Sequence, residues 1–277
     1  MSEHNRESDR IVRVADAGMY RSKHAGGDRV STAEELSEGE TAAVRRRLIT
    51  GYIEGFLQRE HTGPEHLEEL ISTLKKMLGE GEQNTLVLRD AIETLTGAAE
   101  SREQYSSGHG EMVARYSEII ARSLSLSPEE IGDLSFAARV HDVGKIFVPE
   151  RILNKPGPLT EDEHYLLKWH ARVGGEILAT MPEGKKLQEA VHHHHESFDG
   201  GGYPDGLRGE KIPLWARIIA ITDAYVNMTS ERSYAAAKTS EEALAELEKM
   251  SGTRYDGMLV RILLRALKGE RASSWGS

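Results

Sequence analysis

From residue 84 onward, the apolar residues repeat at the 3.6-residue helical period, and alternating apolar and polar positions are scarce. A chain patterned this way can bury its stripes only by packing helix on helix. Leu86, Leu88, Ile92 and Leu95 mark a helix over 84–101, and Met112, Val113, Tyr116, Ile119 and Ile120 one over 107–124. Ser127-Pro128-Glu129-Glu130 reads as an N-cap, a proline at the first helical position and acids in the first turn. The helix it opens runs toward Val143, where Gly144 ends it. Thr160 and Glu163 form a capping box ahead of Leu166, Leu167 and His170. Further helices are expected over 186–195, 213–228, 239–250 and 255–268. The predicted fold is all-α, a multi-helix bundle without internal repeats.

Upstream, 42–80 carries two more helical stripes around a Gly-Pro break, one through Val44, Leu48 and Ile53, the other through Leu67, Leu70 and Leu74. This small helical segment reads equally as a homodimerisation or signal-transmitting element and as a packed cap. The expected organisation is a polar N-terminus, short helical unit and acidic linker over 1–40, the helical segment over 41–83, and the main domain over 84–277. A net charge of −10 argues against nucleic-acid polymers and anionic membranes as partners. The polar start and the lack of any apolar run of about 18 residues predict a cytoplasmic chain without a membrane segment. The 277 residues include no cysteine, so any metal must be held by histidine and carboxylate.

Histidine is concentrated in HHHHESFDGGGYP, residues 192–204. Neutral imidazoles in a cluster suit metal ligation, although such runs also occur on surfaces. His141-Asp142 near a helix end could face one ion or bridge two, and alone it reads as readily as a histidine on the helix dipole beside a local turn. His170 on a core-facing helix and His109 at a helix start are, singly, ordinary core and surface residues. Asp223 is harder to dismiss: it interrupts the apolar run Ile218–Ile221, and a lone buried carboxylate costs several kcal/mol unless paired or metal-bound. Together His109, His141, Asp142, His170, His194, His195 and Asp223 suffice for two ions sharing Asp142. Paired ions about 3.5–4 Å apart suit in-line phosphodiester hydrolysis. Nitrogen and oxygen ligands without thiolate favour iron or manganese.

HDVGK (141–145) followed by HHESFDGGGYP (194–204) resembles the HD-GYP family of cyclic di-GMP phosphodiesterases, and the similarity extends over about residues 85–265. The resemblance implies a helical HD domain with a C-terminal helical GYP extension. It implies hydrolysis of cyclic di-GMP to the linear dinucleotide pGpG, or on to GMP. By position, His109, His141, Asp142 and Asp223 match ligands of one metal, and Asp142, His170, His194 and His195 those of the other. Lys145 matches a lysine on the scissile phosphate and, with Asp142, the catalytic pair. Tyr203, flanked by Gly202 and Pro204, matches a residue packed on guanine, and Arg232 a ligand-contacting arginine. The glycines of 200–202 would let the backbone approach the nucleotide. The chain departs from the family at Tyr105, where some members place a third-metal acid, at Val226 and at Ala235. Two divalent metals are therefore expected. The last two departures motivate a rival reading, a low-activity module that binds cyclic di-GMP or GGDEF-domain proteins. ADAGMYRSKHAGGDRV resembles the end of a GGDEF domain, so residues 10–30 read as a remnant or truncation of one.

Overall fold

The computed structural model describes residues 51, 52, 55, 64–78, 83–103, 108–181, 184–231 and 237–269. The GGDEF-like stretch, the acidic linker, most of 42–63, Tyr105, Arg232 and Ala235 lie outside them. The chain divides into two compact units, Met1–Glu60 with Ser72–Ala91, and His61–Ile71 with Ile92–Ser277. The described elements are α1 (Pro64–Leu78), α2 (Gln83–Arg102), α3 (His109–Ser123), α4 (Pro128–Arg139), a 3-10 helix (Val143–Phe147), α5 (Glu150–Leu153), α6 (Glu161–Leu178), α7 (Gly184–His192), a second 3-10 helix (Gly209–Lys211), α8 (Leu214–Thr229), α9 (Ser240–Lys249) and α10 (Gly257–Leu267). No strand forms among the described residues, where Ser251 and Tyr255 make an isolated bridge. The fold is an all-α bundle.

Local chemistry sets the helix starts. Ser127, Thr160 and Thr239 each accept from the amide three residues on, while Glu130, Glu163 and Glu242 reach back to the cap amides. Each box satisfies two of the donors a helix start leaves unpaired. In the second unit α8 is the hub, packing on α3, α7, α9 and α10. Ile218, Ile219, Ile221 and Val226 are fully buried along it, each worth about 1.5–3 kcal/mol of apolar burial. Val226 is thus a core position. Ser117 on α3 and Thr222 on α8 share a buried hydrogen bond of 2.9 Å. Arg217 on α8 pairs with Asp256, which also caps α10.

Two expectations are corrected. The helix opened at Pro128 stops at Arg139, and Val143–Phe147 continues as a 3-10 helix. Gly144 therefore lies inside the 3-10 helix instead of ending the α-helix. A Cβ there would sit 2.0 Å from the His170 carbonyl oxygen and 2.8 Å from the Gly174 amide. The glycine is needed because the 3-10 segment lies directly on the α6 backbone. The second correction concerns 186–195: α7 ends at His192, and residues 193–195 form a turn. The Glu196 amide closes it on the His193 carbonyl at 2.9 Å.

Candidate metal centre

Three histidines are aimed by one device. The Nδ1 of His141 lies 2.8 Å from the Ala138 carbonyl oxygen, that of His170 bonds the Leu167 carbonyl, and that of His194 the Val191 carbonyl. A carbonyl oxygen only accepts, so each Nδ1 carries a proton, and in the neutral ring Nε2 presents a lone pair inward. His170 Nε2 and His194 Nε2 face each other at 3.4 Å, and as neutral rings with Nδ1 protonated both would be acceptors. Two buried lone pairs at that distance repel unless a cation lies against both. The donor set fits a metal.

Asp142 stands between two such groups. Its Oδ1 is 3.2 Å from His170 Nε2 and 4.0 Å from His194 Nε2, and its Oδ2 is 3.4 Å from His141 Nε2. With His195, the first group brings four ligand atoms within 4.8 Å of one another. The second joins His109, His141 and Asp223. His109 Nε2 is 3.0 Å and His141 Nε2 3.7 Å from Asp223 Oδ1. All seven residues singled out from the sequence as ligands converge here. Asn227, one turn along α8, donates to Asp223 Oδ1 at 2.9 Å. No sequence signal singled it out.

Electrostatics acts differently on the members of this cluster. Burial alone would raise the Asp142 carboxyl, but the Lys145 ammonium and His141 hold it well below the usual carboxylate range. Burial likewise acts upward on Asp223, and His109, hydrogen-bonded to it at 3.0 Å, together with the neighbouring His141 ring overcomes it. Burial, reinforced by His195, pushes His194 well below the ordinary imidazole range, and burial with His170 brings His195 down to about 3. His141 goes the other way: burial acts downward, but Asp142 and Asp223 raise it well above 6.5.

Lys145 reaches into the site from the 3-10 helix, its Nζ 2.7 Å from Asp142 Oδ2 and 2.9 Å from Glu103 Oε1. Burial would lower its pKa, and the two carboxylates raise it instead, so it is cationic. Glu103, at the end of α2, is a second residue the sequence did not single out. Arg102 beside it donates to the Ile146 and Val148 carbonyls and so ties α2 to the 3-10 helix.

The glycine-rich loop folds over this centre. Glu196 is 5% exposed, and its carboxylate accepts the Asp205 amide at 2.7 Å and the Leu207 amide at 3.1 Å. A Cβ on Gly202 would meet the Ser197 nitrogen at 2.1 Å, so the close approach this glycine permits is to its own loop. The Tyr203 amide donates to the His195 carbonyl, and the Tyr203–Pro204 bond is cis. The Tyr203 ring lies 4.8 Å from the His195 ring, with Lys168 Nζ 5.2 Å above its face. An open cleft of about 400 Å³ adjoins the centre, lined by His195, Tyr203, Asp223, Asn227, Arg254 and Tyr255 among others. Gly202 and Pro204 flank Tyr203 without lining it. Arg254 was not among the expected contacts.

Residues 93–259 match the HD domain family. The chain is 35% identical over 225 residues to the cyclic di-GMP phosphodiesterase response regulator RpfG of Xanthomonas campestris pv. campestris, covering 80% of this chain and 59% of that protein. It is 34% identical to a cyclic di-GMP phosphodiesterase of Thermotoga maritima, covering 82% of this chain and 61% of the relative. It is 38% identical to the 3'3'-cGAMP-specific phosphodiesterase 3 of Vibrio cholerae over 61% of this chain and 36% of that protein. The chain thus spans about 60% of the first two relatives and about a third of the last. Among solved structures, an HDG"Y"P protein from Bdellovibrio bacteriovorus superimposes with a TM-score of 0.50 at 17% identity, covering 97% of this chain and 82% of that one. This last likeness concerns the fold.

Proposed function

This chain belongs to the HD domain family, in its HD-GYP branch, and we propose that it is a metal-dependent phosphodiesterase that hydrolyses cyclic di-GMP to the linear dinucleotide pGpG or on to GMP. The observation that carries the reading is the pair of imidazole nitrogens, His170 Nε2 and His194 Nε2, facing each other at 3.4 Å beside the Asp142 carboxylate. Asp142, His170, His194 and His195 would hold one divalent ion, and His109, His141, Asp142 and Asp223 a second. The ligand chemistry favours iron or manganese. Such ions lower the pKa of bound water and offset charge gathering on a phosphate.

The protein's own groups do the rest. Lys145 adds a fixed positive charge beside the shared carboxylate, suited to a phosphate oxygen. Tyr203 offers its ring at the cleft, suited to stacking on a purine, and Arg254, which also lines the cleft, is suited to a phosphate or base contact. Arg232 is a further proposed contact. The names of the relatives divide between cyclic di-GMP and 3'3'-cGAMP, so the second purine is what the substrate test must resolve. Dimerisation through 41–83 and recruitment of GGDEF-domain proteins belong to the same proposal.

The test is incubation of the protein, purified without oxygen and loaded with iron or manganese, with each cyclic dinucleotide, followed by chromatography. Linear product from cyclic di-GMP is expected. Tight binding without product under both metals would overturn the enzyme reading in favour of a binding module, and product from 3'3'-cGAMP alone would overturn the substrate assignment.

A further inference from the structure

The four histidines do not all serve the same centre. His194 and His195 turn toward Asp142, whereas His192 and His193 turn toward the far end of the glycine-rich loop. There His192 Nε2 lies 3.1 Å and His193 Nδ1 3.6 Å from Asp205 Oδ2. These three ligand atoms all lie within 4.8 Å of one another. His193 Nδ1 is buried and has no hydrogen-bond partner, although only 13% of the side chain is exposed. The nearest other carboxylate oxygen, Glu196 Oε1, is 3.8 Å away, beyond hydrogen-bonding reach, and already accepts the Asp205 amide. A buried imidazole nitrogen directed at a carboxylate and left unpaired calls for a partner.

We propose that His192, His193 and Asp205 form a separate zinc site. Zinc bonds nitrogen and oxygen ligands at about 2.0–2.2 Å, so ligand atoms at the corners of a tetrahedron lie roughly 3.4 Å apart. The 3.1 and 3.6 Å separations bracket that edge. Two imidazoles and one carboxylate leave a fourth position for water, a common arrangement for zinc. The Asp205 carboxylate is half exposed, which gives the ion a way in.

The position of the site gives it a consequence. His192 is the last residue of α7, and Asp205 directly follows Tyr203-Pro204. An ion shared by them fastens the loop that carries Tyr203 to the helix that aims His194. Zinc would thus hold the Tyr203 ring at the cleft without contacting the Asp142 centre.

The test counts ions. Protein stripped with a chelator is reconstituted with zinc, desalted and assayed for metal, in four forms: unmodified, His192→Gln/Asp205→Asn, Asp142→Ala, and all three substitutions together. The expected result is one zinc per chain fewer whenever the 192/205 pair is replaced, with or without Asp142. That difference reads the same whether or not the Asp142 centre loads, so failure here is distinct from failure of the proposed function. Anomalous scattering at the zinc edge from the unmodified protein should peak between His192, His193 and Asp205, and decides the matter if a variant does not fold. Equal zinc content in the paired forms, or no peak at that place, overturns the proposal.

Discussion

Asp142 carries more of the centre than any other side chain, because its two oxygens face different ligand groups. Replacing it by alanine leaves buried imidazoles converging on nothing. The expected outcome for Asp142→Ala is loss of bound iron or manganese, read by elemental analysis, together with loss of hydrolysis; an unchanged metal content would sink the shared-ligand assignment. Lys145 makes a narrower prediction. It is a charge beside the site, so Lys145→Met should keep the metal and lower kcat by about 10²–10³-fold, in the range for removing one group that stabilises developing charge. Unchanged kcat would mean that Lys145 serves only to balance Asp142 and Glu103. The proposed ligands could be picked out of the sequence only as a set, through the family resemblance and the cost of a lone buried Asp223, because His109, His141-Asp142 and His170 taken singly read as ordinary residues. What surrounds them could not. Glu103 and Asn227 are ordinary polar residues on helix surfaces, and only the folded chain brings one to Lys145 and the other to Asp223. The GYP spacing separated His194 and His195 from His192 and His193, but it gave no hint that the second pair has its own carboxylate.

At the scale of elements, helix starts were readable and the ends near the site were not. Caps are local chemistry, and Ser127 and Thr160 are where the pattern put them. The ends depend on what lies across from them. The stretch 140–147 leaves the α-helical path to lay its 3-10 turn on α6, which no one-dimensional pattern encodes. Gly144 records that packing, and Gly132 on α4 serves as its control because a Cβ there would meet nothing within 4 Å. Gly144→Ala should cost about 1–3 kcal/mol or more by overpacking against the His170 carbonyl. Gly132→Ala should instead stabilise by about 0.5–1 kcal/mol through helix propensity. Chemical denaturation of the two variants checks both signs. Two similar values would mean that the 3-10 segment gives way freely and does not fix Asp142 against His170.

At the scale of the whole molecule, the centre makes the metal-free protein sensitive to mild acid. Burial keeps His194 well below its ordinary value and His195 at about 3, so both stay neutral in the folded state where an unfolded chain would protonate them near 6.5. Between those values the unfolded state binds more protons, and stability must fall as pH falls. Each group can contribute at most about 1.4 kcal/mol per pH unit while the difference is complete. His141 is raised, so its favourable term is fully present below 6.5 and fades only as pH rises through its folded value. It therefore does not offset the loss on the acid side. Asp142 and Asp223 are depressed, and their contribution is lost only below the ordinary carboxylate range, extending the decline further into acid. Denaturation midpoints of chelator-treated protein should accordingly drop steadily from pH 6.5 to pH 4.5. His195→Gln removes one of the two titrating groups and should make that decline shallower while lowering metal content. A bound divalent ion competes with protons for the same nitrogens, so loaded protein should hold its midpoint to lower pH than stripped protein. If stripped and loaded protein followed one curve, the ion would not be held by these imidazoles, and the metal assignment would fail with it.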